Sequence, residues 1–464
     1  MKYIDLFAGC GGLSLGFESV GFKLGLAVEK SPMASETFYH NLIKPLDSKE
    51  SWINYLNQSN EQKIEAGLYV GETISLLENG DLINQLKKKL PIVDLIVGGP
   101  PCQGFSMAGK RNPKDNRNEL PWQFLEYVEI FRPKAVLMEN VVGMRSRFNK
   151  HDEDSPFKKI KQVLQDGVGN RDESPQYVVQ ELQLNAMHYG VPQHRPRVFL
   201  LGIRKDISEA KSLYATEDIW FSSDYFQGDY GSPLSPQPTI KKESDRLVVS
   251  DAIGDLYSDK IDNSKYLKNL NQKSAFKKVV KYKPDTLVNH TLRNHSEKVQ
   301  KRFRLYQYFS KNGISTKVFN IASKFNATQD KSFFIDIEMA LDGATLPAIA
   351  PDKTLIARDK KELIRTILEL ETKKHSQRPL KEEQPSPTVV SIPDDVIHPT
   401  LARTMTVREQ ARFQSFPDYF EFKAKETTGG KQRKVDVPQY TQVGNAVPPL
   451  MAKAIAQHIK GLIS

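Results

Sequence analysis

The sequence predicts an α/β protein whose regular sheet domain occupies roughly its first two hundred residues and is followed by a smaller, irregular unit. Strand-like and helix-like hydrophobic patterns alternate up to about residue 205 and then stop alternating. A glycine-rich turn at residues 9–12 joins the first strand to the first helix, and Glu29 closes the next strand. Because open α/β sheets bind ligands at the carboxyl ends of their strands, functional residues are expected at that edge.

The alternation begins with a βαβ unit. Residues 2–7 and 23–28 have the apolar character of strands, and residues 13–20 begin a helix between them. The run at 92–97 is continuously apolar, as in a strand buried on both faces of a parallel sheet. Further strands are predicted at residues 135–138, 177–184 and 198–202, with a helix at 120–131.

Beyond residue 205 the chain becomes richer in Pro, Ser, Asp and Lys, and residues 228–238 have the composition of a linker. A second unit is therefore predicted from about residue 236 to residue 400. Within it, apolar residues at helical spacing in 360–374 predict a core helix. Residues 447–463 predict an amphipathic C-terminal helix.

Composition limits the class of protein. The chain has 464 residues, of which 39% are hydrophobic and 26% charged, as in globular proteins of two or three domains. No run approaches the ~18–20 apolar residues of a membrane span and no signal peptide is recognised, so a soluble, cytoplasmic protein is expected. Cys10 and Cys102 have neither a disulfide nor a metal-binding spacing, so we expect no bound metal and a free thiol at Cys102.

Positive charge is concentrated in one part of the second unit. Between Lys260 and Arg304 there are 13 Lys or Arg against 3 acidic residues, an excess that equals the chain's net charge of +10. A solvated lysine-rich face is the ordinary interpretation of such a run. Aromatic and imidazole residues alternate with these cations, which favours nucleic acid as the partner. They are Tyr266, Phe276, Tyr282, His290, His295 and Phe303.

Residues 98–106, GGPPCQGFS, place Cys102 just past a predicted strand. Two prolines before the cysteine and small residues around it predict a stiff, exposed loop on which a thiol can act as a nucleophile. The alternative is a buried cysteine that packs as a small hydrophobe, which is the usual state of a lone Cys. The loop-forming neighbours favour the nucleophile.

The turn DLFAGCGG at residues 5–12 allows the backbone to approach a ligand closely. Alone it is a weak signal, because its glycines can serve the turn itself. Glu29 follows about twenty residues later, at the position where a carboxylate accepts hydrogen bonds from a ribose. The two features together predict a nucleoside-containing cofactor.

Charged side chains also lie next to two later predicted strands. The apolar run at 135–138 ends in Glu139, so an acid and the Cys102 thiol can share one pocket; a capping role for Glu139 is the alternative. Arg195 and Arg197 are two residues apart, hence on one side of an extended segment. Their guanidinium groups can bind a base, a phosphate or a carboxylate.

Taken together and in order, these residues resemble the DNA (cytosine-5) methyltransferase family, of the bacterial restriction-modification type. Six blocks carry the resemblance: DLFAGCGG at 5–12, GPPCQGFS at 99–106, ENV at 139–141, QHRPR at 193–197, Arg403 with TVREQARFQSFPD at 406–418, and QVGNAVPP at 442–449. They cover residues 1–202 and 400–464, and VSDAIGDL at 249–256 resembles the family's segment there.

The resemblance implies a fold and a division into domains. The fold is a Rossmann-like, S-adenosylmethionine-dependent methyltransferase domain with a mixed sheet, plus a smaller, irregular target-recognition domain. The implied divisions are a catalytic and cofactor-binding domain at 1–235, a target-recognition domain at 236–400, and a segment at 401–464 that returns to the catalytic domain.

The resemblance also implies the roles of four residues. The Cys102 thiolate adds to C6 of cytosine while Glu139 hydrogen-bonds or protonates N3, which makes C5 nucleophilic toward the methyl sulfonium of S-adenosylmethionine. Arg197 contacts the cytosine, and Arg195 supports the pocket and its charge. The target base is flipped out of the duplex, at a cost of a few kcal/mol of unstacking.

S-adenosylmethionine is the implied cofactor. The matched positions are Phe7, Gly9, Gly12, Glu29, Pro101, Leu120 and Asn445. Where the family often has Gly-Asp-Ile beside the adenine, this chain has Glu72 after Gly71, so Glu72 is not included. Double-stranded DNA is the implied partner; a cognate restriction endonuclease can share the site without being required, and the family generally acts as a monomer.

Other functions fit part of the sequence. A tRNA methyltransferase shares the cysteine and ENV blocks, but the insertion of roughly 200 residues with its basic segment favours DNA. A catalytically inactive DNA-binding relative is expected to have lost Cys102 or Glu139, and both are present. A small-molecule methyltransferase explains the glycine turn and Glu29 but not the charge of residues 260–304.

Overall fold

A mixed eight-stranded sheet forms the centre of the protein. The computed structural model describes residues 1–101, 119–145, 155–169, 174–257, 264–372, 374, 377–430, 432 and 435–464. The strands are β1 (Lys2–Leu6), β2 (Lys23–Glu29), β3 (Leu68–Val70), β4 (Leu95–Gly98), β5 (Ala135–Asn140), β6 (Tyr177–Asn185), β7 (Pro196–Arg204) and β8 (Trp220–Phe221). Their order is β3-β2-β1-β4-β5-β7-β6-β8. β7 is antiparallel to β5 and β6, whereas the other pairs are parallel, so the predicted α/β class with a mixed sheet is confirmed.

Helices cover both faces of this sheet and build the smaller unit. In the first part of the chain they are α1 (Gly12–Ser19), α2 (Pro32–Phe38), α3 (Lys49–Leu56), α4 (Asn60–Ala66), α5 (Thr73–Leu77), α6 (Gly80–Lys89), α7 (Leu120–Phe131), α8 (Pro156–Asp166) and α9 (Lys205–Ala210). Later come α10 (Val249–Ile253), α11 (Lys265–Lys268), α12 (Phe276–Val279), α13 (Glu297–Asn312), α14 (Val318–Thr328), α15 (Lys331–Ala340), α16 (Lys360–Glu369), α17 (Val407–Phe413), α18 (Gln439–Asn445) and α19 (Pro449–Ile463). Two short strand pairs join β9 (Ala348–Ile349) to β10 (Leu355–Ala357) and β11 (Arg378–Pro379) to β12 (Val396–Ile397).

The central strands are apolar on both sides because each side of the sheet has its own core. Ile4 and Ile96 pack against the face that α6, α7 and α8 cover. Their chain neighbours Tyr3, Leu95 and Val97 pack against the opposite face, under α1 and α19. Since successive side chains of a strand point to opposite faces, a continuously apolar run is required here.

The C-terminal helix packs tightly against the first helix. A Cβ atom added to Gly16 of α1 would lie within 2.8 Å of the backbone of Ala452 in α19. Such an approach is closer than real Cβ contacts, so glycine is required at this crossing. The contact brings the end of the chain back to the helix that follows the glycine turn.

Element boundaries differ from the predicted ones where a side chain or a proline intervenes. α7 has the predicted bounds, but β4 begins at Leu95 rather than at residue 92. Asp94 accepts a hydrogen bond from the backbone N–H of Lys2 at 2.8 Å, and Ile92 is 66% exposed, so the preceding residues lie outside the sheet. The C-terminal helix begins two residues later than predicted, at Pro449, because the fixed φ of proline suits the first helical position.

The smaller unit has a core of its own. Aromatic and aliphatic side chains of α13, α14 and α16 form a cluster spanning residues 303–397. Residues 249–280 instead pack in a cluster with Phe38 of α2 and Phe416 near the C-terminus. The predicted boundary at 236 stays a prediction. Among the described residues, no helix combines the length and the apolarity needed to cross a bilayer.

Candidate active site

Polar side chains meet at the carboxyl edge of the sheet, on both sides of the point where the strand order reverses. Glu29 is the last residue of β2, and the segment that leads to Cys102 leaves β4 at Gly98. Glu139 lies one residue past Met138, the register partner of Gly98 in β5. The crevice between β1 and β4 at this edge is where ligands of open sheets bind.

Glu139 contacts the beginning of the cysteine loop and one of the two predicted arginines. A Cβ atom on Gly99 would lie 2.9 Å from Oε2 of Glu139, so glycine is needed for this approach. The Nε atom of Arg197 lies 3.1 Å from Oε1 of Glu139. Burial raises the pKa of Glu139, while the charges of Arg197 and Arg195 act in the opposite direction. A carboxyl held in this way can keep a proton at higher pH than an exposed glutamate.

Asn140, which sequence reasoning passed over, fixes the backbone of the same loop. Its Nδ2 donates a hydrogen bond to the carbonyl of Pro100 at 2.9 Å, and its Oδ1 accepts one from the N–H of Val141 at 2.9 Å. The neighbouring Glu139 is thereby tied to the chain that enters the loop. Asn140 belongs to the ENV block, and this position could have signalled its role in the sequence.

The predicted nucleophile, Cys102, lies outside the described residues, as does the segment 102–118. Pro101 is exposed and immediately precedes this segment, and Leu120 begins α7 just after it. The other cysteine is buried: the Cys10 thiol donates to the carbonyl of Gln442, and burial raises its pKa to about 12. Cys10 is therefore held as an unreactive thiol.

The glycine turn and Glu29 form one hydrogen-bonded unit. The N–H of Gly9 donates to Oε2 of Glu29 at 2.8 Å, and the N–H of Ser31 donates to Oε1 at 2.7 Å. Phe7 and Gly9 have left-handed φ angles of 60° and 57°, which fold the backbone around the end of β1. A Cβ on Gly9 would have no atom of the described part of the chain within 4 Å. Each carboxylate oxygen keeps a lone pair for a hydroxyl donor, as a ribose would require.

Asp5 is a second residue that the sequence analysis passed over. Its Oδ2 accepts a hydrogen bond from Ser14 at 2.6 Å, whereas its buried Oδ1 has no partner among the residues that the structure describes. Burial raises the pKa of Asp5 to about 7. The position at the end of β1, directly before the glycine turn, could have signalled it.

Two predicted cofactor residues lie where the C-terminal block meets the turn. A Cβ on Gly12 would lie 2.3 Å from the carbonyl oxygen of Val447, so packing alone requires glycine there. Asn445 is exposed at the end of α18. Gln442 anchors that helix by accepting a hydrogen bond from Thr37 at 2.6 Å. Contacts of Gly12 and Asn445 with a cofactor remain predictions.

Glu72, which the sequence analysis left out of the cofactor set, forms an ion pair at the surface. Its carboxylate lies 2.6 Å from the ammonium of Lys30, and both side chains are largely exposed. The N–H of Gly71 donates to the carbonyl of Glu29, which places this pair beside the Glu29 carboxylate. Side-chain groups of His, Cys, Asp or Glu arranged to hold a metal ion do not occur in the described part of the chain.

Arg195 and Arg197 have different partners despite their spacing. Arg195 is 1% exposed, and its Nη2 donates to the carbonyls of Gly444 at 2.7 Å and Ala446 at 3.0 Å. Its Nη1 donates to the carbonyl of Val389 at 3.3 Å. Burial holds the pKa of Arg195 well below its usual range. Arg195 therefore joins three backbone segments, while Arg197 bonds to Glu139.

We expect Arg195→Met to lower the free energy of unfolding by about 3 kcal/mol, because the three buried carbonyls would lose their charged donor. Urea unfolding followed by circular dichroism measures this loss. Arg204→Met is the matched control: Arg204 pairs with Asp206 at the surface, and a loss below about 1 kcal/mol is expected. Equal losses in the two variants would contradict the role given to Arg195.

Sequence and structure comparisons identify the family. The chain matches the profile of the C-5 cytosine-specific DNA methylase family over residues 1–67 and 72–461. It is 30% identical over 460 residues to the type II methyltransferase M.DdeI of Desulfomicrobium norvegicum, covering 99% of this chain and 88% of that protein. It is 31% identical over 490 residues to the type II methyltransferase M.AgeI of Thalassovita gelatinovora, covering 100% of both.

The fold is similar to that of a prophage-encoded E. coli protein assigned as a DNA modification methyltransferase. The TM-score is 0.57 at 22% identity, with 100% of this chain and 99% of the other covered. The family match confirms the interpretation made from the six blocks and favours it over a tRNA enzyme or an inactive relative. This chain belongs to the C-5 cytosine-specific DNA methylase family, and it is a DNA (cytosine-5) methyltransferase of the type found in type II restriction-modification systems.

Proposed function

We propose that the protein methylates C5 of cytosine within a specific sequence of double-stranded DNA, with S-adenosylmethionine as the methyl donor. The observation that carries this proposal is the position of Glu139, which lies next to both Arg197 and the backbone at Gly99. Gly99 is three residues before Cys102 in the sequence. An acid, a cation and a nucleophile-bearing loop thereby lie together at the ligand-binding edge of the sheet.

Cys102 is the proposed nucleophile. Its thiolate forms a bond to C6 of the flipped cytosine. The C5–C6 π pair shifts to form a C4–C5 double bond, and the C4–N3 π pair moves to N3, which takes a proton. Since Asn140 holds the carbonyl of Pro100, the loop begins from a fixed point beside Glu139. Loss of the C5 proton after methyl transfer expels the thiolate and restores the aromatic ring.

Glu139 is the proposed proton donor to N3. The raised pKa of this buried carboxyl favours its protonated form, which can donate to a ring nitrogen. Arg197, bonded to the other oxygen of the carboxyl group, orients it and places a positive charge at the same edge. Arg195 acts as a positioning residue, because it bonds the C-terminal block and adds positive charge near Glu139.

The turn at the end of β1 is the proposed cofactor site. Glu29 would bind the ribose hydroxyls, and Phe7, Gly9, Pro101, Leu120 and Asn445 would line the site. When bound, the cofactor supplies a methyl group on a positively charged sulfur. The unpartnered Oδ1 of Asp5 can accept a hydrogen bond from the ammonium of the methionine part. The open space at Gly9 fits a ligand that lies against the backbone.

Asp5→Asn tests this assignment through pH dependence. The pKa of Asp5 is raised to about 7 in the folded protein, so wild-type stability should fall as pH rises from about 4 to 7, because the unfolded chain releases the proton first. The stability of Asp5→Asn should not fall over this range. The free energy of unfolding of the variant minus that of wild type should therefore be larger at pH 8 than at pH 5, by a few kcal/mol at most. Urea unfolding of both proteins at the two pH values measures this change. If the stability difference between variant and wild type is the same at both pH values, the raised pKa of Asp5 is contradicted. We also expect weaker cofactor binding by the variant.

A cleft between the two units is the proposed place of sequence recognition. It has a volume of about 460 Å³ and is lined by His194 from the catalytic side and by Tyr306, Arg378 and Lys381 from the smaller unit. The cationic side chains that line this cleft suit contacts with DNA phosphates.

In this proposal the protein acts in the cytoplasm as a monomer on duplex DNA. A cognate restriction endonuclease can share its recognition site without being required for activity. The direct test is incubation with isotopically labelled S-adenosylmethionine and either duplex DNA or tRNA, followed by nucleoside analysis by mass spectrometry. Labelled 5-methyldeoxycytidine from the duplex supports the proposal. Label in cytidine of tRNA, or in neither nucleic acid, contradicts it.

A further inference from the structure

Six exposed lysines of the basic segment lie within residues 265–283, and α12 of this segment packs against α1 of the catalytic domain. We call these six residues the lysine face. In the structure none of the six forms an ion pair or hydrogen bond with another described side chain. Its members are Lys265, Lys273, Lys277, Lys278, Lys281 and Lys283.

The aromatic residues between these lysines point inward, which corrects the expectation that they serve nucleic-acid binding. The hydroxyl of Tyr266 donates to the carbonyl of Arg412 at 2.6 Å, and Phe276 is fully buried. The ring of Tyr282 packs on His40 with 4.2 Å between centroids. Tyr266 and Phe276 are buried and Tyr282 is half-buried against His40, so the face offers charge with little ring surface on which bases can stack.

The lysine face lies away from the candidate active site. α12 packs against α1, the helix that starts at the glycine turn and runs toward the opposite edge of the sheet. At the end of α1, Glu18 accepts a hydrogen bond from the N–H of Leu24 at the beginning of β2. Burial raises the pKa of Glu18, while the nearby charge of Lys281 acts in the opposite direction, so Lys281 lies close to this end of α1. Glu29, at the other end of β2, belongs to the cofactor site. The face therefore extends toward the edge opposite the site.

We propose that the lysine face binds the phosphate backbone of a second segment of duplex DNA while the target cytosine occupies the catalytic edge. The inference rests on the proposed function, which brings the protein onto DNA. Lysine ammonium groups are compact charges that attract phosphates without reading sequence, and each neutralised phosphate releases a counterion. A chain of this size has a radius of gyration of about 23 Å, so a straight duplex of about 14 base pairs held at the catalytic edge does not reach the opposite edge.

The test separates the two DNA segments. The enzyme is first trapped covalently on a 14-base-pair duplex that carries its target with 5-fluorocytosine, which fills the catalytic edge. Binding of a fluorescent, non-target duplex of about 60 base pairs to the purified adduct is then measured by anisotropy over a range of salt concentrations. Failure to form the adduct refutes the proposed function and is seen before the second duplex is added.

Two adjacent lysine pairs provide the variant and its control. Lys277→Glu with Lys278→Glu reverses two charges on α12, and Lys87→Glu with Lys88→Glu reverses two exposed charges in the last turn of α6, on the opposite face of the sheet. We expect the α12 adduct to bind the second duplex roughly tenfold or more weakly, with a salt slope smaller by about two. The Gln version of the α12 pair should lower the slope by about the same amount, because it removes the same two phosphate contacts, with a smaller loss of affinity.

The control adduct should bind the second duplex like wild type, and adduct formation on the short duplex should be equal in all four proteins. The inference is overturned if the wild-type adduct does not bind the second duplex. It is equally overturned if the α12 and α6 variants lose the same affinity, since the effect would then be one of net charge alone.

Discussion

Glu139→Gln is expected to lower the rate of methyl transfer by roughly 10²–10⁴, because the amide cannot deliver a proton to N3 of cytosine. The substitution keeps the size of the side chain and leaves an oxygen for the Nε donor of Arg197, 3.1 Å away in the native protein. The fold and the affinity for duplex DNA should therefore change little. Single-turnover kinetics with labelled cofactor measure the chemical step directly.

The pH profile adds a readout that a structural role would not affect. Since burial raises the pKa of Glu139, activity should fall at higher pH as this proton is lost, and the Gln variant should lack that limb. Glu126→Gln on the exposed side of α7 is the matched control and should retain the wild-type rate and profile. A Glu139→Gln rate within a factor of about three of wild type would remove Glu139 from the mechanism.

Cys102→Ser should abolish methyl transfer, since a serine hydroxyl is not ionised near neutral pH and is a far weaker nucleophile than a thiolate. Only two cysteines occur in the sequence, and burial raises the pKa of Cys10 to about 12. Cys102 is therefore the thiol that remains for the reaction. Turnover by the variant, measured with excess cofactor and duplex, tests the assignment.

Cys10→Ala provides the comparison, because it removes the other thiol of the chain. It should still transfer methyl groups, whereas Cys102→Ser should bind duplex DNA without turnover. Retained turnover in Cys102→Ser would contradict the assignment of Cys102 as the nucleophile. If Cys10→Ala also lost turnover, the nucleophile would be Cys10 instead.

Local patterns predicted most of the sheet and the edge that carries the site. β1, β2, β5, β6 and β7 lie where apolar runs placed them, because strands buried on both faces leave a strong continuous signal. Glu29 and Glu139 follow directly from this, since each lies at the carboxyl end of its strand. Their neighbours Asp5 and Asn140 were within the same blocks but gave no separate signal.

Contacts between distant parts of the chain were beyond such patterns. The bonds of Arg195 to the carbonyls of Val389 and Gly444 join residues about two hundred positions apart, and spacing alone suggested a shared role with Arg197. Glycine is required at position 12 because the carbonyl oxygen of Val447, far away in the sequence, leaves no room for a Cβ atom. Tyr266 shows the same limit, because a pattern of alternating aromatic and basic residues does not reveal which of them face the core.

The central claim is that Cys102 attacks a cytosine of duplex DNA at the edge defined by Glu139 and Glu29. The most direct measurement is trapping on duplex DNA with 5-fluorocytosine in place of cytosine, in the presence of S-adenosylmethionine, followed by denaturing electrophoresis and peptide mapping. The fluorine cannot be eliminated as a proton is, so the enzyme should remain bound to the base through Cys102, and sequencing the trapped DNA gives the recognised site. An adduct at another residue, or no adduct on mixed-sequence DNA, would contradict the claim.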